Sequence, residues 1–312
     1  ATDTASAATA YYLTINVNPK IAITTTTDTV TTTFGKVAYD TITAAYGTGT
    51  LTIARNSGSG SSAITSTFSN SQSVLTIAST LPVGTYYETF TVTDSVSATA
   101  IKVITIIVNP ALTLTTSTGV AQIETTYSKA SSLTINVAYG TGTRTASALP
   151  VTISGVSLTT TNLQTGTILL ALTSAVAVGT YYETITVTDA VSSSTSLVIK
   201  IIVNAAPTLS YAGATTGSIT LVTTAGGTLR SGAFTAALGT SPRTLSLTGL
   251  NPAISMETSS ADSGVLVLGS NLTSTDSSNS KKYYETVTVT DSFSVTATRA
   301  VTIIVNPQII ET

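Results

Sequence analysis

Short runs of alternating apolar and polar residues fill this chain, separated by clusters of Gly, Ser, Asn and Pro. Val74-Leu-Thr-Ile-Ala78 and Ser132-Leu-Thr-Ile-Asn-Val137 are typical, and a period of two predicts half-buried β-strands. No stretch sustains an apolar spacing of 3.6 residues, so helix should be negligible. The most legible strands are Tyr86–Asp94 and Ile101–Val108. In the first, Tyr86, Glu88, Phe90 and Val92 share one face and Tyr87, Thr89, Thr91 and Thr93 the other, which places Phe90 and Val92 inward. The second is almost continuously apolar, as a strand partly covered on both faces would be, and Pro110 ends it by removing a donor.

This pair of strands recurs. Gly84-Thr-Tyr-Tyr-Glu-Thr-Phe-Thr-Val-Thr-Asp94 returns as Gly179–Asp189 and as Tyr283–Asp291. Each Asp is followed 15 residues later by an Asn that closes an apolar run: Asp94 and Asn109, Asp189 and Asn204, Asp291 and Asn306. Asp3 and Asn18 obey the same spacing. A period of 95 residues between Asp94 and Asp189 is the size of a small domain, so the chain reads as a tandem array. Full repeats are expected at 20–110, 111–207 and 208–312, each of six or seven strands folded as a β-sandwich. Residues 1–19 read as the last strand of a further repeat. Either a longer array surrounds this stretch, or the strand completes a neighbouring molecule's sheet. The array is preferred, because the last repeat already carries its own final strand. Connections such as Asn109-Pro-Ala-Leu112 and Asn204-Ala-Ala-Pro207 are short and bear Pro, which points to a stiff rod.

Composition narrows the function classes. The 312 residues contain no Cys, His or Trp, which removes disulfides, thiolate chemistry, the Ser-His triad and the commonest transition-metal ligand. Only 8% are charged and the formal net charge is −2, against the dense basic face that nucleic acid requires. Abundant β-branched residues argue against disorder, and no apolar run is long enough for a membrane-spanning helix. No signal peptide is visible at Ala1.

The motif Gly-Thr-Tyr-x-Glu-Thr-x-Thr-Val-Thr-Asp, followed by an apolar strand ending Val-Asn-Pro, resembles bacterial and archaeal immunoglobulin-like and cadherin-like repeats. Such repeats are carried in tandem by surface proteins, adhesins, S-layer proteins and extracellular filaments. The resemblance covers the last two strands of each repeat. It implies an all-β fold of tandem immunoglobulin-like sandwiches and an extracellular, cell-surface setting, and it implies no activity.

Several residues are candidates for chemistry. Glu88, Glu183 and Glu285 lie in register with the inward face, where a carboxylate survives only if matched. Arg144 and Arg243 follow Gly140 and Gly239 by four residues, and Arg55 lies four residues further along the first repeat on the same strand face. Glu–Arg ion pairs inside each sandwich are the preferred reading; a Glu solvated at the sandwich end is the alternative, and a catalytic site lacks a second acid. Asp94, Asp189 and Asp291 are calcium candidates through the cadherin-like resemblance, but no carboxylate cluster accompanies them, and an Asx turn-capping role is preferred. Tyr46-Gly-Thr-Gly-Thr50 and Tyr139-Gly-Thr-Gly-Thr143 lack the Lys-Ser/Thr of a phosphate loop and read as turns. The paired tyrosines suit sugar stacking or, preferably, a tyrosine corner. Thr rows such as Thr89-x-Thr91-x-Thr93 admit ice binding, solubility without charge, or lateral packing between copies with little charge repulsion. Asn271-Leu-Thr273 is a glycosylation sequon in a polar loop, Gly269–Lys282.

The expectation is a non-enzymatic structural protein without cofactors, a building block of a filament, S-layer or stalk. It would assemble with copies of itself through sheet edges and Thr-rich faces. The alternative is an adhesin that binds carbohydrate or another cell surface through loops of a terminal repeat.

Overall fold

The computed structural model describes residues 4, 8–59, 61–69, 71–147, 153–249 and 251–308, the side chain of residue 57 apart. Among the described residues, twenty-four strands and one 3-10 turn, Leu163–Thr165, make up the regular structure. Strands β1 (Ala22–Thr25), β2 (Thr29–Thr33), β3 (Ala38–Ala45), β4 (Thr52–Ser57), β5 (Ile64–Ser69), β6 (Gln72–Ile77), β7 (Gly84–Thr93) and β8 (Thr99–Asn109) come first. The same order follows in β9 (Thr113–Thr116), β10 (Gln122–Thr126), β11 (Ser131–Ala138), β12 (Thr145–Ala146), β13 (Val156–Thr159), β14 (Thr167–Leu172), β15 (Gly179–Thr188) and β16 (Ser194–Asn204). It closes with β17 (Thr208–Tyr211), β18 (Ile219–Thr224), β19 (Leu229–Ala237), β20 (Thr244–Thr248), β21 (Ile254–Ser260), β22 (Ser263–Leu268), β23 (Lys281–Thr290) and β24 (Thr296–Asn306).

Each set of eight forms two four-stranded sheets with one topology. In the first, β1-β3-β6-β5 faces β2-β8-β7-β4, and the orders β9-β11-β14-β13 with β10-β16-β15-β12, and β17-β19-β22-β21 with β18-β24-β23-β20, repeat it. The last strand is inserted between a parallel neighbour and an antiparallel one: Thr33 pairs with Asn109 along β2, and Gly84 with Val108 along β7. An antiparallel sheet facing a mixed one with this crossover defines an immunoglobulin-like sandwich. The chain is therefore all-β, with such sandwiches in tandem. Eight strands per repeat exceed the expected six or seven, because the first edge strand breaks at Thr26–Asp28 and its second half changes sheet.

Phe90 and Val92 of β7 and Ile104, Ile106 and Val108 of β8 meet Ile42, Leu75 and Ile77 of the facing sheet in one fully buried cluster. In the third set the large ring comes from the other sheet: Phe234 of β19 packs on Val287, Val289, Ile303 and Val305. Alternation continues on β8, but Ile101 and Val103 are 67% and 49% exposed. Its outer face is thus open over that half and partly covered over the other, at Thr105 and Ile107. By packing density the chain divides into two compact units. One comprises 1–113, 138–145 and 187–195; the other comprises 114–137, 146–186 and 196–312.

Candidate functional site

The turns 138–145 and 187–195 belong to the same unit as residues 1–113, and side chains explain why. Thr33, at the end of β2, donates its hydroxyl to Asp189 Oδ2 at 2.5 Å. The Thr141 hydroxyl lies 2.7 Å from that of Thr33, and Asn109 Nδ2 donates to Thr141 Oγ1 at 2.9 Å. With the Thr33 proton committed to the carboxylate, Thr141 must donate to Thr33. Protons therefore point one way along Asn109, Thr141 and Thr33 to the Asp189 charge, an arrangement in which each bond polarises the next. The Thr141 backbone N–H also donates to Asp189 Oδ2 at 2.9 Å.

The second unit contains the same clasp. Thr126 at the end of β10 donates to Asp291 Oδ2 at 2.5 Å and lies 2.6 Å from the Thr240 hydroxyl, which accepts from Asn204 Nδ2 at 2.9 Å. Thr33 and Thr126 are both 0% exposed, so these hydroxyls are desolvated and their partners obligatory. In the first repeat part of the clasp is present: Asn18 Nδ2 donates to Thr48 Oγ1 at 3.1 Å and Thr48 N–H to Asp94 Oδ2 at 2.8 Å.

The remaining oxygen of each carboxylate caps its own turn. Asp94 Oδ1 accepts from the N–H of Val96 and Ala98, Asp189 Oδ1 from Val191 and Ser193, and Asp291 Oδ1 from Phe293 and Val295. These are Asx caps. N–H and hydroxyl donors surround the oxygens of Asp189 and Asp291, and among the described residues no group of three or more metal-binding side chains gathers. That arrangement is the reverse of a calcium cage.

The surroundings set the charge state. Burial opposes the charge of Asp189 and Asp291, but the combined bonds from Thr33 or Thr126, and from the backbone, hold both carboxyls below the ordinary range. Asp94 is lowered chiefly by the Thr48 N–H. A depressed folded pKa gives stability that is complete above the unfolded value, about 3.9, and lost as pH falls through the folded value. Thermal midpoints should therefore hold from pH 7 to about 5 and fall below about pH 4. The Asp189→Asn, Asp291→Asn double variant should flatten that acid limb.

Two further devices fix the junctions. Pro19, Pro110 and Ala205 carbonyls accept the N–H of Gly47, Gly140 and Gly239 at 2.9, 3.0 and 2.9 Å. Gly140 has φ +79° and a Cβ there would lie 2.7 Å from Leu112 Cδ2, so both conformation and space demand glycine. Gly140→Ala should cost roughly 1–3 kcal/mol in urea unfolding, from strain and overpacking together. Arg144 Nε and Nη2 donate to the Tyr139 carbonyl at 3.1 and 2.9 Å. Arg243 Nη1 donates to the equivalent Leu238 carbonyl at 2.6 Å, while Nε and Nη2 grip Asp262.

That geometry corrects the expected ion pairs. Glu88, fully buried, does receive Arg55: Nε lies 2.5 Å from Oε2. Ser59 adds its N–H and hydroxyl to Oε1, and Arg55 Nη1 crosses to the Ile64 carbonyl of the facing sheet. A Cβ on Gly58 would sit 1.9 Å from Glu88 Oε2, so glycine makes room for the carboxylate. Arg144 and Arg243, expected to pair with Glu183 and Glu285, precede the register position of Arg55 by four residues, about 13 Å along a strand. They reach the junction turn instead. Opposite Val287, the position that Arg55 holds opposite Phe90 is occupied by Leu247. Glu285 is 4% exposed, has no hydrogen bond or ion pair among the described residues, and is pushed up by desolvation. Glu183 is fully buried, and the residue at its Arg55 position, Ala148, lies outside the described residues. Because a raised carboxyl penalises folding only above its unfolded pKa, Glu285→Gln should stabilise by about 1 kcal/mol at pH 7 and by nothing near pH 4. Chemical unfolding at the two pH values reads the difference.

Tyr86 and Tyr181 donate to the carbonyls of Pro82 and Ala177, each four residues upstream, as a tyrosine corner does, while Tyr87, Tyr182 and Tyr284 are exposed. Asn271 is exposed in the loop before β23, with Leu272 buried beneath it. A cleft of about 480 Å³ near Glu285 is lined by Asn251, Pro252, Lys282, Tyr283 and Tyr284.

Sequence reasoning singled out the Asp and Asn of the clasp by their spacing but missed Thr33, Thr126, Thr48, Thr141 and Thr240. The signal was present: Gly-Thr recurs at 47–48, 140–141 and 239–240. It was hidden because threonine is so common here.

No protein-family model matches the sequence, and comparison with curated proteins finds no match. Among solved structures, an I-band fragment of titin is similar over 95% of this chain and 100% of its own, at 9% identity and TM-score 0.48. The human desmocollin-1 ectodomain is similar over 98% of this chain and 66% of its own, at 11% identity and TM-score 0.34. A protocadherin gammaB7 EC3-6 cis-dimer structure covers 93% of this chain with 74% of its own, at 14% identity and TM-score 0.35. At these identities and scores no property of those proteins passes to this chain. Among the described residues no helix is long and apolar enough to cross a membrane.

Proposed function

We propose that this chain is a non-enzymatic structural protein of the cell exterior, in which each sandwich is locked to the next and copies associate into a filament, S-layer or stalk. The observation that carries the reading is the clasp: the same Asn-Thr-Thr-Asp chain recurs at two successive junctions with equal geometry. A carboxylate consumed by hydroxyl and amide donors holds modules together and is poor at catalysis or metal binding. Low charge and Thr-rich faces support association between copies, since they offer little mutual repulsion. The setting follows from the sequence resemblance. Domain boundaries near residues 20, 111 and 208 belong to the same proposal, as each clasp joins residues on either side of one of them.

A second reading, an adhesin, is favoured by the Tyr283–Tyr284 cleft in the third repeat, where exposed aromatic rings suit a sugar. Negative-stain electron microscopy of the purified chain, with a glycan array in parallel, separates the two. Regular polymers or sheets are expected. Dispersed particles that bind glycans, lost on Tyr284→Ala, would transfer the assignment to the adhesin.

A further inference from the structure

The third repeat keeps the carboxylate of the first repeat's buried ion pair but lacks its cation. Glu88 on β7 and Glu285 on β23 hold the same place, two residues before Phe90 and Val287. Opposite Phe90 stands Arg55, whose Nε meets the Glu88 carboxylate; opposite Val287 stands Leu247, which packs on the core. A glycine follows each of these strands, and a Cβ on either Gly58 or Gly249 would collide with the carboxylate. The cradle for the acid is therefore repeated without the arginine. No other cation replaces it. Arg299 of the neighbouring β24 lies opposite Val287 but donates to the carbonyls of Ala214, Thr216 and Gly217. Glu285 is 4% exposed and has neither hydrogen bond nor ion pair among the described residues. A carboxylate so buried is costly unless matched.

The surfaces above the two acids differ accordingly. A cleft of about 410 Å³ in the first repeat is lined by Gly58, Ser59, Tyr86 and Tyr87, and Glu88, engaged by Arg55 and Ser59, is not part of its wall. The corresponding cleft in the third repeat, about 480 Å³, is lined by Gly249, Asn251, Tyr283 and Tyr284, and by Glu285 itself. The unmatched acid thus forms part of a wall from which a charge can be supplied from outside. Tyr284, 72% exposed, sets an aromatic ring at that wall. Its neighbour Tyr283 already carries a cation on its ring, Lys281 Nζ lying 4.9 Å from the centroid. Lys282, also on the wall, is exposed and keeps its own charge in water.

We propose that this cleft binds the guanidinium group of an arginine side chain presented by another polypeptide, which supplies to Glu285 what Arg55 supplies to Glu88 from within. Guanidinium suits the site better than ammonium. Its planar fork bonds a carboxylate through two donors, its weaker hydration makes it easier to desolvate, and it stacks on a tyrosine ring. The cleft reaches the surface beside Tyr284 and Lys282, so a side chain can enter while its backbone stays outside. The arginine is not one offered by an intact copy of this chain, because Arg55, Arg144, Arg230, Arg243 and Arg299 each bond an acceptor of their own chain. The proposal goes beyond the building-block reading and does not rest on it, and it assigns the cleft a cation where the adhesin reading assigns a sugar.

The test titrates the full chain with the capped peptide acetyl-Gly-Arg-Gly-amide, followed by NMR. The same peptide with lysine or citrulline in place of arginine, and free L-arginine, are titrated alongside. Saturable shifts at Gly249 and Tyr284 are expected, with the arginine peptide bound roughly tenfold more tightly than the lysine one and the citrulline one silent. Glu285→Gln should keep the repeat folded, since its carboxyl is unmatched, and should weaken binding about tenfold or more. Tyr284→Ala should weaken it roughly fivefold through the lost ring. Leu247→Arg, which returns a guanidinium to the place that Arg55 holds, should close the site from within and abolish binding. No saturable binding of the arginine peptide up to about 10 mM overturns the proposal. So does binding that Glu285→Gln leaves unchanged or that the lysine peptide equals. Free arginine bound as tightly as the capped peptide overturns the polypeptide source and makes the ligand a small molecule. A glycan that shifts Tyr284 where the arginine peptide does not overturns the proposal in favour of the sugar.

Discussion

Arg55→Met should lower the stability of the first repeat by about 3–5 kcal/mol, the cost of stranding a buried carboxylate. Glu88 is fully buried and its Oε2 faces the Arg55 Nε at 2.5 Å, while Ser59 alone would remain to solvate the other oxygen. The loss belongs to the orphaned charge more than to the missing attraction, so the Arg55→Met, Glu88→Leu double variant should recover most of it. Urea unfolding of the two variants against the parent measures both values. A single-variant loss below about 1 kcal/mol would mean that water reaches Glu88 and that the pair is not desolvated. The third repeat is a natural comparison, with Leu247 in the arginine's place and an unpaired Glu285.

Asp189→Ala should cost about 3–5 kcal/mol and uncouple the sandwiches it joins. Four donors lose their acceptor at once: the Thr33 hydroxyl and the N–H groups of Thr141, Val191 and Ser193. Thr33 is fully buried, so its hydroxyl has no water to turn to. The matched control is Asp94→Ala, whose Oδ2 takes the Thr48 N–H and, among the described residues, no threonine hydroxyl; its effect in this chain should be the smaller of the two. Hydrogen exchange should show the turns 138–145 and 187–195 opening independently of β2 in Asp189→Ala and together with it in the parent. Equal losses at Asp94 and Asp189 would show that turn capping accounts for everything and the clasp for nothing.

The comparison of the two glutamate sites shows where one-dimensional reasoning stopped. Placing Glu88, Glu183 and Glu285 on the inward face needed only the period of two, because alternation dictates the face whatever the sheet order. Pairing them with arginines needed the register of β4 and its equivalents. Arg144 and Arg243 line up with each other in sequence but sit at the strand entrance, where the carbonyls of Tyr139 and Leu238 and the carboxylate of Asp262 claim their guanidinium groups. Four residues along a strand preserve the face and move a side chain about 13 Å, beyond its reach. The tyrosines illustrate the opposite case, since the upstream carbonyl that Tyr86 meets is only four residues away and local geometry suffices.

The amino-acid order alone thus determined the class of object: an all-β chain of repeated sandwiches, the identity of the two final strands, the inward residues on them and the Asp turn. Each of these rests on contacts within a strand or across a few residues, where backbone periodicity dictates the outcome. Only the tertiary structure decided which threonines among so many are buried, that Asn109, Thr141, Thr33 and Asp189 form one chain, and that Arg55 meets the buried Glu88 while Arg243 turns to Asp262. Those contacts join residues as far apart as 156 positions, Thr33 and Asp189, and what selects them is desolvation at a junction that the folded neighbours create.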